Sequence, residues 1–325
     1  MVRTGDRRRS RLAPSKTALA FALAFAATAA TALDVQGHRG ARGLAPENTL
    51  AAFRTAIDLG VDTLELDLQV TRDGVLVVSH NARLSPDLTR DPSGRWLAQE
   101  GPRIHDLTLA ELSAYDVGRV DPASAYARPL PAQRASDGER IPALAAVFAL
   151  GRTRPDLRFN IETKLAPDAP ADAPPPDAFA AQVVAAVREA NLTARVTVQS
   201  FDWRTLVAVK RLAPELRTSC LTIETASTNN VAAKDGRGSA WTAGFDLRTF
   251  EGSVPRLVRA AGCDAWSPFY RNATPARIEE ARALGLTVLP WTVNDEVDMQ
   301  RLIDLRVDGI ITDYPDRLLR LPGVR

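Results

Sequence analysis

The chain has 325 residues, of which 45% are hydrophobic and 25% charged, with a formal net charge of +2. A chain of this length and hydrophobic content can bury a large core, and a single α/β barrel routinely uses this much sequence. The excess of cations lies at the N terminus, so the charge does not indicate a nucleic-acid partner.

Residues 1–32 have the pattern of a secretory signal peptide. They carry six Lys or Arg residues and one acid, Asp6, and they end in an apolar run from Ala18 to Ala32 that closes on Ala30-Thr31-Ala32. This pattern predicts cleavage and export to the periplasm or the outside, with no stable membrane insertion afterwards. An uncleaved membrane anchor is the alternative. The segment has a net charge of +5, so residues 33–325 are near −3.

Short apolar runs alternate with helix-forming segments over residues 33–325, which predicts parallel strands joined by helical crossovers. The helix-forming segments are Thr49–Leu59, Pro142–Leu150, Ala178–Ala190, Trp203–Leu212, Val254–Ala260, Pro275–Leu284 and Glu296–Leu305. The strand-like runs are Val35–Gly40, Thr63–Val70, Val75–His80, Arg158–Lys164, Val196–Phe201, Arg217–Ile223, Asp264–Phe269, Thr287–Val293 and Gly309–Asp313.

These nine runs exceed an eight-stranded barrel by one, and the third run explains the excess. No helix fits between Val70 and Val75, and Asp73-Gly74 is a turn signal, so the second and third runs predict a β-hairpin. Folding about this turn would bring Asp67 opposite His80. The remaining eight runs predict a (β/α)8 TIM barrel with the hairpin at its C-terminal mouth.

Two stretches interrupt the alternation. Residues 82–140 are rich in Arg, Asp, Pro and Gly and hold one helical segment, Leu109–Tyr115. Because this insertion starts directly after the hairpin, we expect a small lobe over the barrel mouth that selects the substrate. Residues 166–177, APDAPADAPPPD, predict a mobile loop.

Carboxylates stand at the predicted C-terminal ends of two strands. Glu65 and Asp67 are two residues apart and share one face of a strand, as do Glu162 and Lys164. Three carboxylates at one mouth repel each other unless a cation is present, so they predict a site for one divalent cation, Ca²⁺ or Mg²⁺. Salt bridges of these acids with Arg39 or Lys164 are the alternative.

His38 and His80 are two of only three histidines, and both fall beside these acids. Histidine is the usual general acid or base because its pKa lies closest to neutrality. The pair therefore predicts proton transfer next to a metal site. The third histidine, His105, lies in the insertion, and a surface or packing role is expected for it.

An ordered series of motifs resembles the glycerophosphodiester phosphodiesterase family. The series begins with HRG at His38, PENT at Pro46, E-x-D at Glu65 and IE-x-K at Ile161. It departs from the family pattern at Thr163, where an aliphatic residue is common, and in the long insertion. Later family-like blocks are VQSFD (Val198–Asp202), PWTVN (Pro290–Asn294) and GIITDYP (Gly309–Pro315).

The resemblance implies an enzyme that hydrolyses glycerophosphodiesters to glycerol 3-phosphate and an alcohol. A phospholipase of D or C type acting on lysolipids and a non-catalytic barrel that binds phosphorylated ligands are the alternatives. Binding alone does not require two titrating groups, which disfavours the second alternative. By position, the resemblance implies His38 and His80 as the acid and base, Glu65, Asp67 and Glu162 as metal ligands, and Arg39 and Lys164 as phosphate-binding residues.

Other residues admit two readings from the sequence. Gln199 could bind substrate or satisfy a buried backbone group, and Trp291 could form an apolar wall for the substrate or pack in the core. Glu47 and Asn48 fit the start of a helix, with Asn48 as its cap, and the resemblance also suggests that Glu47 supports the site. Cys220 and Cys263 could form a disulfide or remain buried thiols, and two cysteines cannot build a metal site alone.

Overall fold

The computed structural model describes residues 1, 2, 5, 32–232 and 238–325. The chain divides into two units, Met1–Thr31 and Ala32–Arg325. The predicted signal peptide falls almost entirely outside the described residues. Among the residues that the structure describes, no helix has the length and hydropathy needed to span a membrane.

Eight parallel strands form a nearly closed barrel, as predicted. The strands are β1 (Asp34–Gly37), β2 (Thr63–Val70), β3 (Leu76–Val78), β4 (Arg158–Thr163), β5 (Val196–Ser200), β6 (Arg217–Thr222), β7 (Ala265–Pro268), β8 (Thr287–Val288) and β9 (Gly309–Thr312). In sheet order they run β8-β7-β6-β5-β4-β2-β1-β9, and β3 pairs with β2 outside this order. Backbone hydrogen bonds from Ile311 N to Pro290 O and from Val293 N to Ile311 O, each 3.0 Å, join the residues after β8 to β9.

Helices connect the strands, and their first residues explain where they begin. Side chains of Thr49, Asp202 and Asp295 accept hydrogen bonds from free N–H groups in the first turns that follow them. All seven predicted helices are present, with ends shifted by no more than a few residues. The helices are α1 (Leu50–Leu59), α2 (Leu109–Leu112), α3 (Leu144–Leu150), α4 (Pro176–Glu189), α5 (Trp203–Leu212), α6 (Val254–Ala260), α7 (Pro275–Ala283), α8 (Glu296–Asp304) and α9 (Pro315–Leu318).

Strand β2 shows how the sequence directs acids into the barrel. Every residue of this strand is buried, on both faces. Leu64, Leu66 and Leu68 alternate with the polar residues and belong to the main hydrophobic core. Since neighbouring side chains point to opposite faces, Glu65 and Asp67 must lie together on the other face.

The hairpin forms, but its register differs from the expected one. Val70 pairs with Leu76 and Leu68 with Val78, so Asp67 lies opposite Ser79 rather than His80. The expected pairing was wrong by one residue because Thr71 N donates to Val75 O at 3.0 Å, so the turn contains three residues, Arg72, Asp73 and Gly74. The predicted register assumed a turn of two residues, and a left-handed Gly74, with φ of 79°, fits either length.

The insertion forms a lobe with its own small core. The lobe contains the helix Leu109–Leu112, shorter than the predicted Leu109–Tyr115, and the short 3₁₀ turns Ile104–Asp106 and Ala125–Ala127. His105 Nδ1 lies 3.0 Å from Val70 O, in agreement with the expected packing role. The lobe core consists of Val77, Leu84, Ile104, Leu112 and Ile141.

Cys220 and Cys263 form a disulfide, with their Cα atoms 6.0 Å apart. The bond joins β6 to the residue two positions before β7, and both cysteines are buried. It therefore ties two neighbouring strands of the barrel together across a sequence separation of 43 residues.

Removal of this bond should destabilise the barrel. A crosslink that spans 43 residues restricts the unfolded chain, so we expect the Cys220→Ala/Cys263→Ala variant to lose about 3–4 kcal/mol of unfolding free energy. Urea unfolding of the variant, with oxidised and reduced wild type beside it, measures this loss. Equal unfolding midpoints for all three proteins would contradict the expectation.

Candidate active site

Three buried carboxylates meet at the C-terminal mouth of the barrel. One oxygen each from Glu65, Asp67 and Glu162 lies within 4.8 Å of the others. Strand register explains this meeting, because β2 pairs in parallel with β4 and places Asp67 beside Glu162. An all-oxygen donor set of this kind suits a hard divalent cation, so the predicted metal ligands do come together.

Two cations partly balance the cluster. Lys164 Nζ lies 2.9 Å from Glu162 Oε1 and 3.7 Å from Asp67 Oδ1. Arg39 Nε lies 3.2 Å from Asp67 Oδ2. The salt bridges considered from the sequence are therefore present, but two cations do not neutralise three carboxylates. A bound divalent cation would supply the missing positive charge, so the residues fit such an ion.

The pKa values of the acids reflect this imbalance. Burial and the neighbouring Asp67 raise the pKa of Glu65 well above its usual range. Burial also raises the pKa of Glu162 to about 7, against the attraction of Lys164. For Asp67, Arg39 and the other cations outweigh burial and lower the pKa far below its usual range. Mutual repulsion in a buried cluster is what a metal ion relieves.

Amide side chains hold the carboxylates in place. Gln199 Nε2 donates to Glu65 Oε1 at 2.7 Å, and its own Oε1 accepts from Asn160 at 3.0 Å. Gln199 thus supports the acidic cluster through its side chain. Neither of these two hydrogen bonds goes to a backbone group, which was one of the two roles considered from the sequence. Asn48 Nδ2 donates to Asp67 Oδ2 at 2.9 Å. The expected capping role of Asn48 was wrong, because the cap of α1 is Thr49.

His38 is oriented by a carboxylate from the last strand. Its Nδ1 lies 2.5 Å from Asp313 Oδ1, while its Nε2 lies 4.0 Å from Glu65 Oε2. Asp313 is itself held by Asn294 Nδ2 at 2.7 Å and by Arg42 Nη1 at 3.1 Å. Burial lowers the pKa of His38, and Asp313 opposes that effect. The imidazole therefore presents Nε2 to the acidic cluster.

His80 lines the cavity beside the cluster. The cavity has a volume of about 580 Å³, and Glu162 and Lys164 line it together with His80. His80 Nδ1 lies 2.8 Å from Asn81 Oδ1. Burial, together with the charges of Arg39 and Lys164, lowers the pKa of His80 to about 3. His80 is consequently neutral at physiological pH.

The rest of the cavity wall is mainly apolar and aromatic. Phe201, Ile223 and Trp241 line it, and Phe201 meets Trp291 edge to face with ring centroids 5.3 Å apart. Trp291 packs behind this wall and donates from Nε1 to Ser267 O at 2.9 Å. The Trp291 ring therefore packs against the rings of Phe201 and Phe269. Its role as a wall for the substrate stays a prediction.

Arg39 lies in a strained turn directly after His38. Its φ is 49°, and its backbone N–H donates to Glu65 Oε2 at 2.9 Å. Its Nη1 donates to Glu47 Oε1 at 2.7 Å. Gly40 follows with φ of 90° and packs against Ala52 so closely that a Cβ atom there would overlap it. Within the described part of the chain, Nη2 of Arg39 makes no hydrogen bond and is left for a ligand.

Sequence reasoning missed Asp313, Arg42 and Tyr126 as members of the site. Asp313 directly follows the apolar strand β9, and an acid at that position is a usable signal, as it was for Asp67. Arg42 and Tyr126 carry no such signal. They are recognisable only once the loop after β1 and the insertion are seen in contact, which is shown by the Arg42 guanidinium 4.9 Å from the centre of the Tyr126 ring.

Comparison with known proteins agrees with this geometry. Residues 38–317 match the Glycerophosphoryl diester phosphodiesterase family. A glycerophosphodiester phosphodiesterase from Caldanaerobacter subterraneus subsp. tengcongensis is 32% identical over 88% of this chain and 96% of its own length.

Solved structures show the same fold. A crystal structure from Silicibacter pomeroyi DSS-3, whose name assigns it to the glycerophosphoryl diester phosphodiesterases, is 36% identical and covers 89% of this chain and 92% of its own, with a TM-score of 0.78. An Oleispira antarctica phosphodiesterase in complex with the product sn-glycerol-3-phosphate is 22% identical and covers 89% and 96% of the two chains, with a TM-score of 0.63. On the match of residues 38–317 and the 32% identical relative, the chain belongs to the glycerophosphoryl diester phosphodiesterase family.

Proposed function

We propose that this protein hydrolyses glycerophosphodiesters to glycerol 3-phosphate and an alcohol, using one divalent cation, Ca²⁺ or Mg²⁺. The observation that carries the proposal is the set of three buried carboxylates in contact with two cations. One histidine, His38, directly follows β1, and the other, His80, lies two residues after β3. The 32% identical relative, a glycerophosphodiester phosphodiesterase by name, supports the same activity.

The carboxylates Glu65, Asp67 and Glu162 would hold the cation. When bound, such an ion polarises a phosphoryl oxygen and lowers the pKa of a coordinated hydroxyl group. Arg39 and Lys164 lie in direct contact with the same carboxylates, so a phosphate at the metal site is within their reach. Their charges offset the negative charge that grows on the phosphate oxygens in the transition state.

The two histidines are placed for opposite proton transfers. His80 is neutral and can accept the proton of the attacking hydroxyl, from water or from the glycerol arm, as its oxygen bonds to phosphorus. An anionic diester offsets the charges of Arg39 and Lys164, which strengthens His80 as a base. Asp313 stabilises the imidazolium form of His38, so His38 can deliver a proton to the alcohol oxygen as its bond to phosphorus breaks.

The cavity beside His80 provides room for an organic arm of the diester. Its wall combines the aromatic side chains Phe201 and Trp241 with neutral polar side chains such as Thr228 and Asn230. A mixed wall of this kind suits a small alcohol that is partly apolar and partly hydrogen-bonding.

A substrate panel tests the function. Glycerophosphocholine, glycerophosphoethanolamine, glycerophosphoglycerol and lysophosphatidylcholine are each incubated with Ca²⁺- or Mg²⁺-loaded protein. Glycerol 3-phosphate is measured with a coupled enzyme assay, and release of choline or phosphocholine is measured for the lysolipid. Release of glycerol 3-phosphate from the first three compounds supports the proposal. Turnover of the lysolipid alone would indicate a phospholipase, and binding without any turnover would indicate a non-catalytic barrel.

Replacement of either site histidine should abolish most activity without unfolding the protein. Because each proton transfer is typically worth about 10²–10⁴-fold in rate, His38→Ala and His80→Ala should each lower kcat by about two to four decades. His105→Ala is the matched control, since His105 lies in the insertion and its Nδ1 contacts the backbone oxygen of Val70. Steady-state kinetics and circular dichroism measure both properties. An unchanged kcat in either site variant would show that the replaced histidine takes no part in the reaction.

Metal binding should stabilise the protein through the acidic cluster. The melting temperature of metal-depleted wild-type protein should rise when Ca²⁺ or Mg²⁺ is added. The ion binds only the folded state and relieves the repulsion among the three carboxylates there. Glu162→Gln should abolish this gain, while Glu189→Gln, at an exposed helix end, should keep it. Differential scanning fluorimetry measures the shift. A gain that persists in Glu162→Gln would place the metal elsewhere.

We further propose that the protein is exported to the periplasm or the outside. The cationic and then apolar pattern of residues 1–32 supports this location. The disulfide between Cys220 and Cys263 supports it independently, because disulfides persist in oxidising compartments.

Cleavage of the signal peptide should be visible in fractionated cells. Full-length protein made in a bacterium should appear outside the cytoplasm with its N terminus near Leu33, and deletion of residues 2–32 should leave it in the cytoplasm. Mass spectrometry of the intact protein and of its N terminus measures this. An intact N terminus in the membrane fraction would instead indicate an uncleaved anchor.

A further inference from the structure

Part of the insertion lies directly on the loop that carries His38 and Arg39. We call residues 125–134 the strap. Gln133 Nε2 donates to Arg42 O at 2.8 Å, and Arg134 N donates to Leu44 O at 2.9 Å. Tyr314 also holds the strap, because its hydroxyl donates to Pro129 O at 2.7 Å. The strap is therefore fixed to the barrel by several contacts.

Tyr126 of the strap reaches the charged groups of the site. Its hydroxyl donates a hydrogen bond to Glu47 Oε2 and accepts one from Arg39 Nη1 at 3.3 Å. The face of its ring lies under the Arg42 guanidinium, 4.9 Å from the ring centre. One side chain of the insertion thus contacts three charged residues of the loop between β1 and α1: Arg39, Arg42 and Glu47.

Glu47 connects these groups. Its two oxygens accept hydrogen bonds from Arg39 Nη1 at 2.7 Å and from Arg42 Nε at 2.8 Å. Glu47 is buried, and the two arginines keep it ionised. Hydrogen bonds to an ionised partner are stronger and more directional than neutral ones. The Tyr126 hydroxyl therefore helps to fix where Glu47 holds the Arg39 guanidinium.

We propose that Tyr126 is a positioning residue that fixes Arg39 through Glu47, so that the insertion takes part in phosphate binding. This inference rests on the proposed function and extends the sequence-based interpretation, in which the insertion only selects the substrate. With Nη1 engaged by Glu47 and Tyr126 and Nε beside Asp67, the orientation of the guanidinium is set before a phosphate arrives. Preorganisation of this kind lowers the cost of reorientation during the reaction.

The Tyr126→Phe variant tests this role because it removes the hydroxyl and keeps the ring. The contacts of Gln133, Arg134 and Tyr314 continue to hold the strap, so the fold should be unaffected. We expect kcat/KM for glycerophosphodiesters to fall about tenfold, mainly through kcat, because Arg39 acts on charge that grows in the transition state. Tyr115→Phe, which alters a tyrosine beside the lobe core, is the matched control and should stay within about twofold of wild type.

A double-mutant cycle separates positioning from a structural role. If Tyr126 acts through Glu47, the effect of Tyr126→Phe should largely disappear in a Glu47→Gln background. Isothermal titration of metal-loaded protein with inorganic phosphate adds a readout that needs no turnover, and Tyr126→Phe should bind phosphate several-fold more weakly.

The possible outcomes distinguish this inference from the proposed function. Unchanged kinetics and phosphate affinity in Tyr126→Phe, or a loss of activity that only follows a loss of folded protein, would overturn the positioning role. Failure of wild type to bind phosphate would overturn it as well. Wild type that binds phosphate but hydrolyses no diester would overturn the proposed function alone, and the phosphate titration would still decide the role of Tyr126.

Discussion

The buried negative charge at the end of β2 and β4 is the constraint on which the site depends. Three carboxylates within 4.8 Å of one another cannot all stay ionised in a buried place unless positive charge and hydrogen-bond donors surround them. The neighbouring residues supply these groups: Lys164 and Arg39 contribute charge, and Gln199 and Asn48 contribute N–H donors. The same imbalance that makes the cluster costly without a metal is one that a bound metal ion would relieve.

Closure of the barrel couples this cluster to the first histidine. His38 and Asp313 are 275 residues apart in sequence, yet their side chains are in contact. They meet because β1 pairs with β9, with Gly37 beside Thr312, so the residues that follow the two strands emerge side by side. The orientation of His38 therefore requires that the last strand is in place. A chain truncated before β9 would lose both the sheet edge and the carboxylate that holds the imidazole.

The sequence was informative where a local rule decides the outcome. Alternation along β2 places Glu65 and Asp67 on one face, and the strand count predicts the barrel, because both depend on short-range patterns. The register of the hairpin depended on whether two or three residues form the turn, and a left-handed Gly74 is compatible with both lengths. The contact of Tyr126 with Glu47 joins residues 79 positions apart, and Tyr126 lies in an isolated 3₁₀ turn, so no periodicity could reveal the contact.

The position of the insertion explains its contacts with the loop after β1. The insertion follows β3, which forms a hairpin with β2. Because β1 is the neighbour of β2 in the barrel, the loop after β1 lies within reach of the lobe. The lobe packs around a core that is separate from the barrel core, and changes on its outer surface need not disturb the strands. The strap is the exception, because its tyrosine contacts Glu47, Arg39 and Arg42. We therefore expect substitutions to be tolerated over most of the insertion and to be costly where it contacts the loop that carries the first histidine.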